Sequence, residues 1–301
     1  IKRHSDLAKA GVATVVLSFV LSKADIQASL SALKGARGIP LIFALVMATI
    51  DYPVKATRWQ LLLRKSGVRV RLSRLISFML VGSFFNLFMP GTTGGDFVRI
   101  VDITKSQGEG KITAGMTVIV DRLFGLLAII LTGGVALVFE QKAAVDSVSR
   151  YALMGVSLVT LVFVVVLVTV ARCSHGSWAL STPQALSRLL ETMNAERWLS
   201  SIWQSFIIVF QDVQLTISVL LLSFLSQLVS VWFLSLTFRS LGLNVTILQL
   251  MPMLTIIMLV LLLPISIQGI GVREGLYIYF LCQKGITPDY VLSALAVRYG
   301  V

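Results

Sequence analysis

The chain has 301 residues, 56% of them hydrophobic and 13% charged, with a formal net charge of +12. A soluble domain of this length needs far more polar surface, so the class is an all-α polytopic membrane protein. Long uninterrupted apolar runs exclude the roughly ten-residue alternating strands of a transmembrane barrel. The bases sit in short loops between apolar runs, which excludes nucleic acid as a partner and fits the positive-inside bias and attraction to anionic headgroups.

In chain order, residues 10–22 form a short apolar segment behind Lys2, Arg3 and Lys9. It reads as a first transmembrane helix; Ser22-Lys23-Ala24 also fits a signal-peptidase site, but the membrane segments downstream favour the helix. Residues 38–63 form the second span and carry Asp51, Lys55 and Arg58, spaced four and three apart and so on one helical stripe. "RKSGVRVRLSR" over 64–74 follows, with five bases and no acid, and is assigned to the cytoplasm together with the N-terminus.

Residues 75–95 are uncharged and broken at Pro90, and 101–111 is read as a polar connection. The next span, 112–139, is interrupted early by Asp121-Arg122, and 151–170 is an uncharged span after a loop. The connection over 172–200 places Leu186, Leu189, Leu190 and Met193 at helical spacing near three tryptophans, which suits an interfacial helix or a soluble linker helix. Spans follow at 213–238 and 248–263. "PISIQGIGVREG" then interrupts, 276–283 resumes, and Thr287-Pro288-Asp289 marks a helix start. Seven or eight membrane segments result, two of them Pro/Gly-broken or re-entrant, with an internal repeat suggested by the pairing of the breaks. A single transmembrane domain is expected over 1–301, its first half (1–150) broken at 90–99 and its second (151–301) at 264–274, with no soluble domain. Cys173, Cys282, His4 and His175 are too scattered for a metal site or disulfide framework, so no metal or cofactor is expected and both cysteines are read as packing residues.

The two breaks share a grammar. "PGTTGGDFVR" and "PISIQGIGVRE" each end an apolar helix with Pro, pass through glycines and hydroxyl or amide side chains, and resume with an Arg close to an acid. Backbone freed from a helix inside a bilayer costs several kcal/mol per unpaired group, on the order of the apolar-transfer penalty, unless it is buried in protein or lines a wet cavity. Corresponding broken segments in two halves therefore point to a transporter site, and glycine amides beside a helix start favour an anion. The same residues also describe a plain kink with a capped restart, in which Asp96 satisfies the amides itself. Asp51 with Lys55 or Arg58, Asp121 with Arg122, and Arg273 with Glu274 are the intramembrane charges. They are candidates for function or for interhelical struts, and the adjacent pairs are expected to find partners on other helices because neighbours in sequence do not face each other.

The stretch from Asn86 to Arg99, "DRLFGL" from Asp121, "PISIQGIGVREG" from Pro264, and Arg58-Trp59 together resemble the lysylphosphatidylglycerol synthase transmembrane-region family, in order and over nearly the whole chain. The resemblance implies a multi-pass protein of a bacterial or archaeal cytoplasmic membrane. It would move an anionic or aminoacylated phospholipid, or a lipid-linked headgroup, between leaflets, as a transporter and not an enzyme. It also implies a phospholipid as ligand, a separate lipid-modifying synthase as a partner, and compatibility with a homodimer. By motif position it marks Asn86, Pro90, Gly94, Gly95, Asp96 and Arg99, then Arg122, then Gly269, Gly271, Arg273 and Glu274; Thr92 and Thr93 join them as hydroxyl donors beside the glycine amides. The alternatives are an intramembrane enzyme acting on a lipid-linked phosphate through Asp96, Asp121 or Glu274, a scaffold for a synthase partner, or a small-solute transporter.

Overall fold

The computed structural model describes residues 34–86, 94–106, 111–139, 147–173, 209–262, 269 and 271–299. All regular structure among them is helical: α1 (Gly38–Lys65), α2 (Leu72–Asn86), α3 (Gly94–Ser106), α4 (Lys111–Phe139), α5 (Ser147–Cys173), α6 (Val213–Ser240), α7 (Ile247–Leu261), α8 (Val272–Cys282) and α9 (Pro288–Tyr299). By length and composition α1, α4 from Ala114, and α6 can each cross a membrane, while α2, α7 and parts of α5 and α9 are shorter apolar helices. The expected first helix, the connection over 174–200, and Pro90, Thr92 and Thr93 lie outside the described residues.

The bundle is organised on α1 and α6, which pack against each other more extensively than any other pair. They run antiparallel. The Arg37 amide donates to the Ser240 carbonyl at 2.7 Å at one end, and Lys65 Nζ meets Asp212 Oδ2 at 2.7 Å at the other. Each helix has 28 residues, or about 42 Å of rise, enough for the hydrocarbon core and part of both headgroup layers. Pro53 lies within α1 without ending it; the helix continues to Lys65.

Two hydrophobic clusters occupy opposite ends of this pair. One gathers Trp59 and Leu63 of α1, Leu75 and Met79 of α2, Ile103 of α3 and Val118 of α4. The other gathers Leu234 and Phe238 of α6, Leu250 and Leu254 of α7, Tyr277 of α8 and Val291 of α9. α2 and α3 form an antiparallel hairpin, because the start of α2 and the end of α3 share the first cluster while Gly95 touches Gly82 and Asn86 at the closed end. Small residues bring α4 against its neighbours: a Cβ on Gly133 would strike the Thr255 side chain of α7, and one on Gly134 would strike Ser157 of α5. Close contact at Gly, Ser and Thr is how helices associate where no water drives them together.

Three sequence expectations need correction. Residues 101–106 continue a helix that begins at Gly94, so the polar connection is shorter than expected. The helix after the second break begins at Val272, four residues earlier, because the Glu274 carboxylate accepts the Gly271 amide at 2.5 Å and caps the start. Cys282 is exposed at the end of α8 and is not a packing residue.

Candidate functional site: a buried arginine–aspartate network on a membrane cavity

A cavity of about 440 Å³ lies where α1 to α4, α6 and α7 converge. α1 gives it one face through Met47, Asp51, Lys55 and Arg58, positions that recur on a single helical stripe. α2 contributes Gly82, Ser83 and Asn86; α3 contributes Gly95, Asp96 and Arg99; α4 contributes Asp121, Arg122 and Gly125. The remaining wall is mostly apolar, with Ile129 of α4, Phe233 of α6 and Met258 and Leu261 of α7.

The charges are wired in sequence across three helices, with a hydroxyl from a fourth. Arg58 Nε donates to Asp121 Oδ1 at 2.7 Å, and its Nη1 donates to Ser223 Oγ at 3.0 Å. Asp121 Oδ2 accepts from Arg99 Nη2 at 3.2 Å, and Arg99 Nη1 donates to Asp96 Oδ1 at 3.1 Å. Asp96 Oδ2 in turn accepts from Arg122. Arg58, Arg99 and Asp121 are 5%, 9% and 2% exposed, so these charges are shielded from bulk solvent and are held by each other. The Arg99 guanidinium also lies over the Trp59 ring at 4.3 Å, and Trp59 is fixed by its own bond to Thr117 Oγ1 at 3.0 Å. One donor of this network, Arg99 Nε, is buried without an acceptor among the described residues.

A second polar group lies one to two turns along α1. Asp51 accepts from Lys55 Nζ at 2.5 Å and from Ser226 Oγ of α6 at 2.6 Å. Asn86 closes the hairpin by accepting the Gly95 amide at 2.6 Å on Oδ1. That bond satisfies a backbone donor that the helix break would otherwise leave unpaired inside the membrane.

The sequence expectations divide here. Asp51 does pair with Lys55, Asp121 and Arg122 do find partners on other helices, and Asn86, Gly95, Asp96, Arg99 and Arg122 all reach the cavity. Gly94 opens α3. Among the described residues, Gly269, Gly271, Arg273 and Glu274 are absent from the cavity wall; they lie at or just before the start of α8, which packs on α7 and α9, while Leu261 and Leu262 ahead of the second break do line the cavity. Trp59, Gly82, Ser223 and Ser226 had no role assigned from sequence. Ser223, Ser226 and Ser230 fall three and four apart in an otherwise apolar helix, a polar stripe that could have been read as facing a charge.

Residues 7–301 match the family described as the lysylphosphatidylglycerol synthase TM region. The chain belongs to that family. It is also similar to a UPF0104 membrane protein of Methanothermobacter thermautotrophicus, 23% identical over 304 residues that take in 95% of this chain and 87% of that protein. A UPF0104 membrane protein of Pyrococcus horikoshii is 26% identical over 151 residues, covering 50% of this chain and 44% of that protein's length. The lysylphosphatidylglycerol synthase TM-region family thus holds a helical membrane protein whose charged centre is built from α1, α3 and α4.

Proposed function

We propose that the protein moves an anionic phospholipid, or another lipid-linked phosphate headgroup, between the leaflets of a membrane. The observation that carries this reading is the charge balance of the cavity: among its described lining residues Lys55, Arg58, Arg99 and Arg122 face Asp51, Asp96 and Asp121, one more positive charge than negative. A low-dielectric cavity whose described lining carries net positive charge favours an anionic ligand. The apolar wall opposite gives the first methylenes of a lipid a surface that water would not.

Depth supports the same reading. Arg58 lies seven residues before Lys65, about 10 Å from the basic end of α1 and as far from its middle, which sets the network between the midplane and the headgroup level of one leaflet. α2 has 15 residues, a rise of about 22 Å against a hydrocarbon core of about 30 Å. With both outer ends of the α2–α3 hairpin in one cluster, the segment reads as re-entrant, entering and leaving on the side of the basic 64–74 loop. The positive-inside rule puts that side in the cytoplasm.

The test is leaflet exchange of a fluorescent phosphatidylglycerol in vesicles holding the purified protein. Wild type should accelerate exchange, and Arg99→Ala should slow it by about tenfold or more, the scale of losing one buried charge contact. Exchange that is unchanged in Arg99→Ala and in Arg122→Gln would rule this site out.

A further inference from the structure

The two halves of the described chain correspond at a fixed separation. Val213 opens α6 at 175 positions after Gly38 opens α1, and Ile247 opens α7 the same distance after Leu72 opens α2. The helices also agree in length, 28 residues for α1 and α6 and 15 for α2 and α7. Both long helices end on a glycine with φ near +80°, Gly67 (81°) and Gly242 (82°), whose amides bond Arg64 and Arg239 at 3.1 and 3.0 Å. The breaks correspond with one residue fewer: Pro90, Gly95, Val98 and Arg99 match Pro264, Gly269, Val272 and Arg273. Even the crowding is repeated. A Cβ on Gly95 would lie 2.7 Å from the Asn86 amide, and one on Gly269 would lie 2.5 Å from Leu261, the counterpart of Asn86. Packing within the halves follows suit, since α1–α2, α2–α3, α3–α4 and α1–α4 are mirrored by α6–α7, α7–α8, α8–α9 and α6–α9.

The relation is an inversion, because α1 and α6 run in opposite directions. The same shift exchanges their two end ties, turning Arg37 with Ser240 into Asp212 with Lys65. A residue touches its own counterpart only on the symmetry axis, and Ser226 does so: it donates to Asp51, 175 positions away, at 2.6 Å. The cavity lies on that axis. Its wall contains both members of four counterpart pairs: Lys55 with Ser230, Arg58 with Phe233, Ser83 with Met258, and Asn86 with Leu261. In each pair the first half supplies the charged or more polar member.

We infer that the cavity is one amphipathic lipid site split between two inverted repeats, the first holding the phosphate and the second the root of the acyl chains, and that exchange of conformation between the repeats presents it to both membrane faces in turn. Inverted repeats with broken helices at a midplane site work by such rocking. This inference rests on the transport reading for its direction, and it adds the division of labour and the axis.

Two measurements on the full chain test it. The first compares binding of dihexanoylphosphatidylglycerol with its chain-free headgroup, glycerophosphoglycerol. Wild type should prefer the lipid by about tenfold or more, the value of two to three buried methylenes, and Met258→Ser with Leu261→Asn should bring the ratio close to one while binding of the headgroup persists. An unaltered ratio, or equal binding of both probes by wild type, overturns the acyl assignment. The second places Ser83→Cys or Met258→Cys in a Cys173→Ser, Cys282→Ser background in sealed vesicles and applies an impermeant maleimide from either face. Labelling of both positions from both faces is expected, and labelling from one face alone overturns the exchange. Access from both faces without leaflet exchange would instead sink the transport reading and leave the two-faced site standing.

Discussion

Arg58 and Asp121, 63 positions apart in the chain, meet Nε to Oδ1 at 2.7 Å with both side chains buried. This contact joins α1 to α4 at the level where Arg99 of α3 arrives on the other carboxylate oxygen. Asp121 therefore keeps two guanidinium groups from facing each other across a low-dielectric gap. Asp121→Asn should destabilise the protein by about 3–5 kcal/mol, because removing one member of a buried ion network leaves uncompensated charge. Thermal unfolding in detergent measures it. The double variant Arg58→Met, Asp121→Leu should be more stable than Asp121→Asn alone, since it removes one of the two guanidinium charges that lose Asp121 and leaves Arg99 its contact with Asp96.

Much of this arrangement can be read from sequence and some of it cannot. A charge-free run gives the span of α6, and long apolar runs holding only two or three ions give those of α1 and α4, because the bilayer imposes a length and tolerates few ions. Asp51 with Lys55 is legible because four residues is one helical turn. Arg58 is harder: it shares the stripe of Asp51 but lies two turns away, beyond direct pairing, and only the fold shows that it turns to Asp121 while Ser226 completes Asp51. The start of α8 was misplaced because hydropathy resumes at Leu276, whereas the helix is initiated by Glu274 folding back on the Gly271 amide. That bond is local, and it is visible as an acid three residues after a glycine.

Adding charge at Ser83 should retune the cavity without disturbing the network. Ser83 lines the cavity from α2 and belongs to none of the ion pairs. Ser83→Lys raises the surplus to two and should shift preference toward phosphatidic acid at pH 8, whose phosphomonoester carries close to two charges. Ser83→Asp cancels the surplus and should shift it toward phosphatidylcholine. Each shift should be about tenfold in relative affinity, measured by lipid competition in nanodiscs; identical rank orders in both variants would show that charge balance does not select the lipid.

The α2–α3 hairpin depends on a contact that admits no side chain. A Cβ on Gly95 would fall against the Gly82 carbonyl group and 2.7 Å from Asn86 Nδ2, and one on Gly82 would lie 2.9 Å from the Gly95 carbonyl oxygen. Gly95→Ala should cost about 1–3 kcal/mol by forcing two helix backbones apart. It should also weaken the bond from the Gly95 amide to Asn86 Oδ1. Gly155→Ala in α5, where nothing among the described residues lies within 4 Å, is the matched control and should be neutral or stabilising by up to about 1 kcal/mol. Unfolding midpoints of the two variants should move in opposite directions or differ by several degrees.

Lys65 and Asp212 make the tie between α1 and α6 pH-dependent. The Lys65 ammonium, followed by the Leu215 amide at 3.1 Å, holds the Asp212 carboxyl below its ordinary range. A carboxyl whose folded-state value is depressed contributes stability above its unfolded value of about 3.9, and that stability is lost as pH falls through the folded value. Asn at position 212 can still cap α6, so Asp212→Asn isolates the ion pair from the cap. Unfolding curves of wild type and Asp212→Asn should separate at pH 7, begin to approach each other below about pH 4 and converge once pH has fallen through the folded value. Because the pair is exposed, 0.5 M salt should narrow the separation at pH 7. A gap at pH 7 that 0.5 M salt leaves unchanged would place the role of Asp212 in the cap and not in the charge.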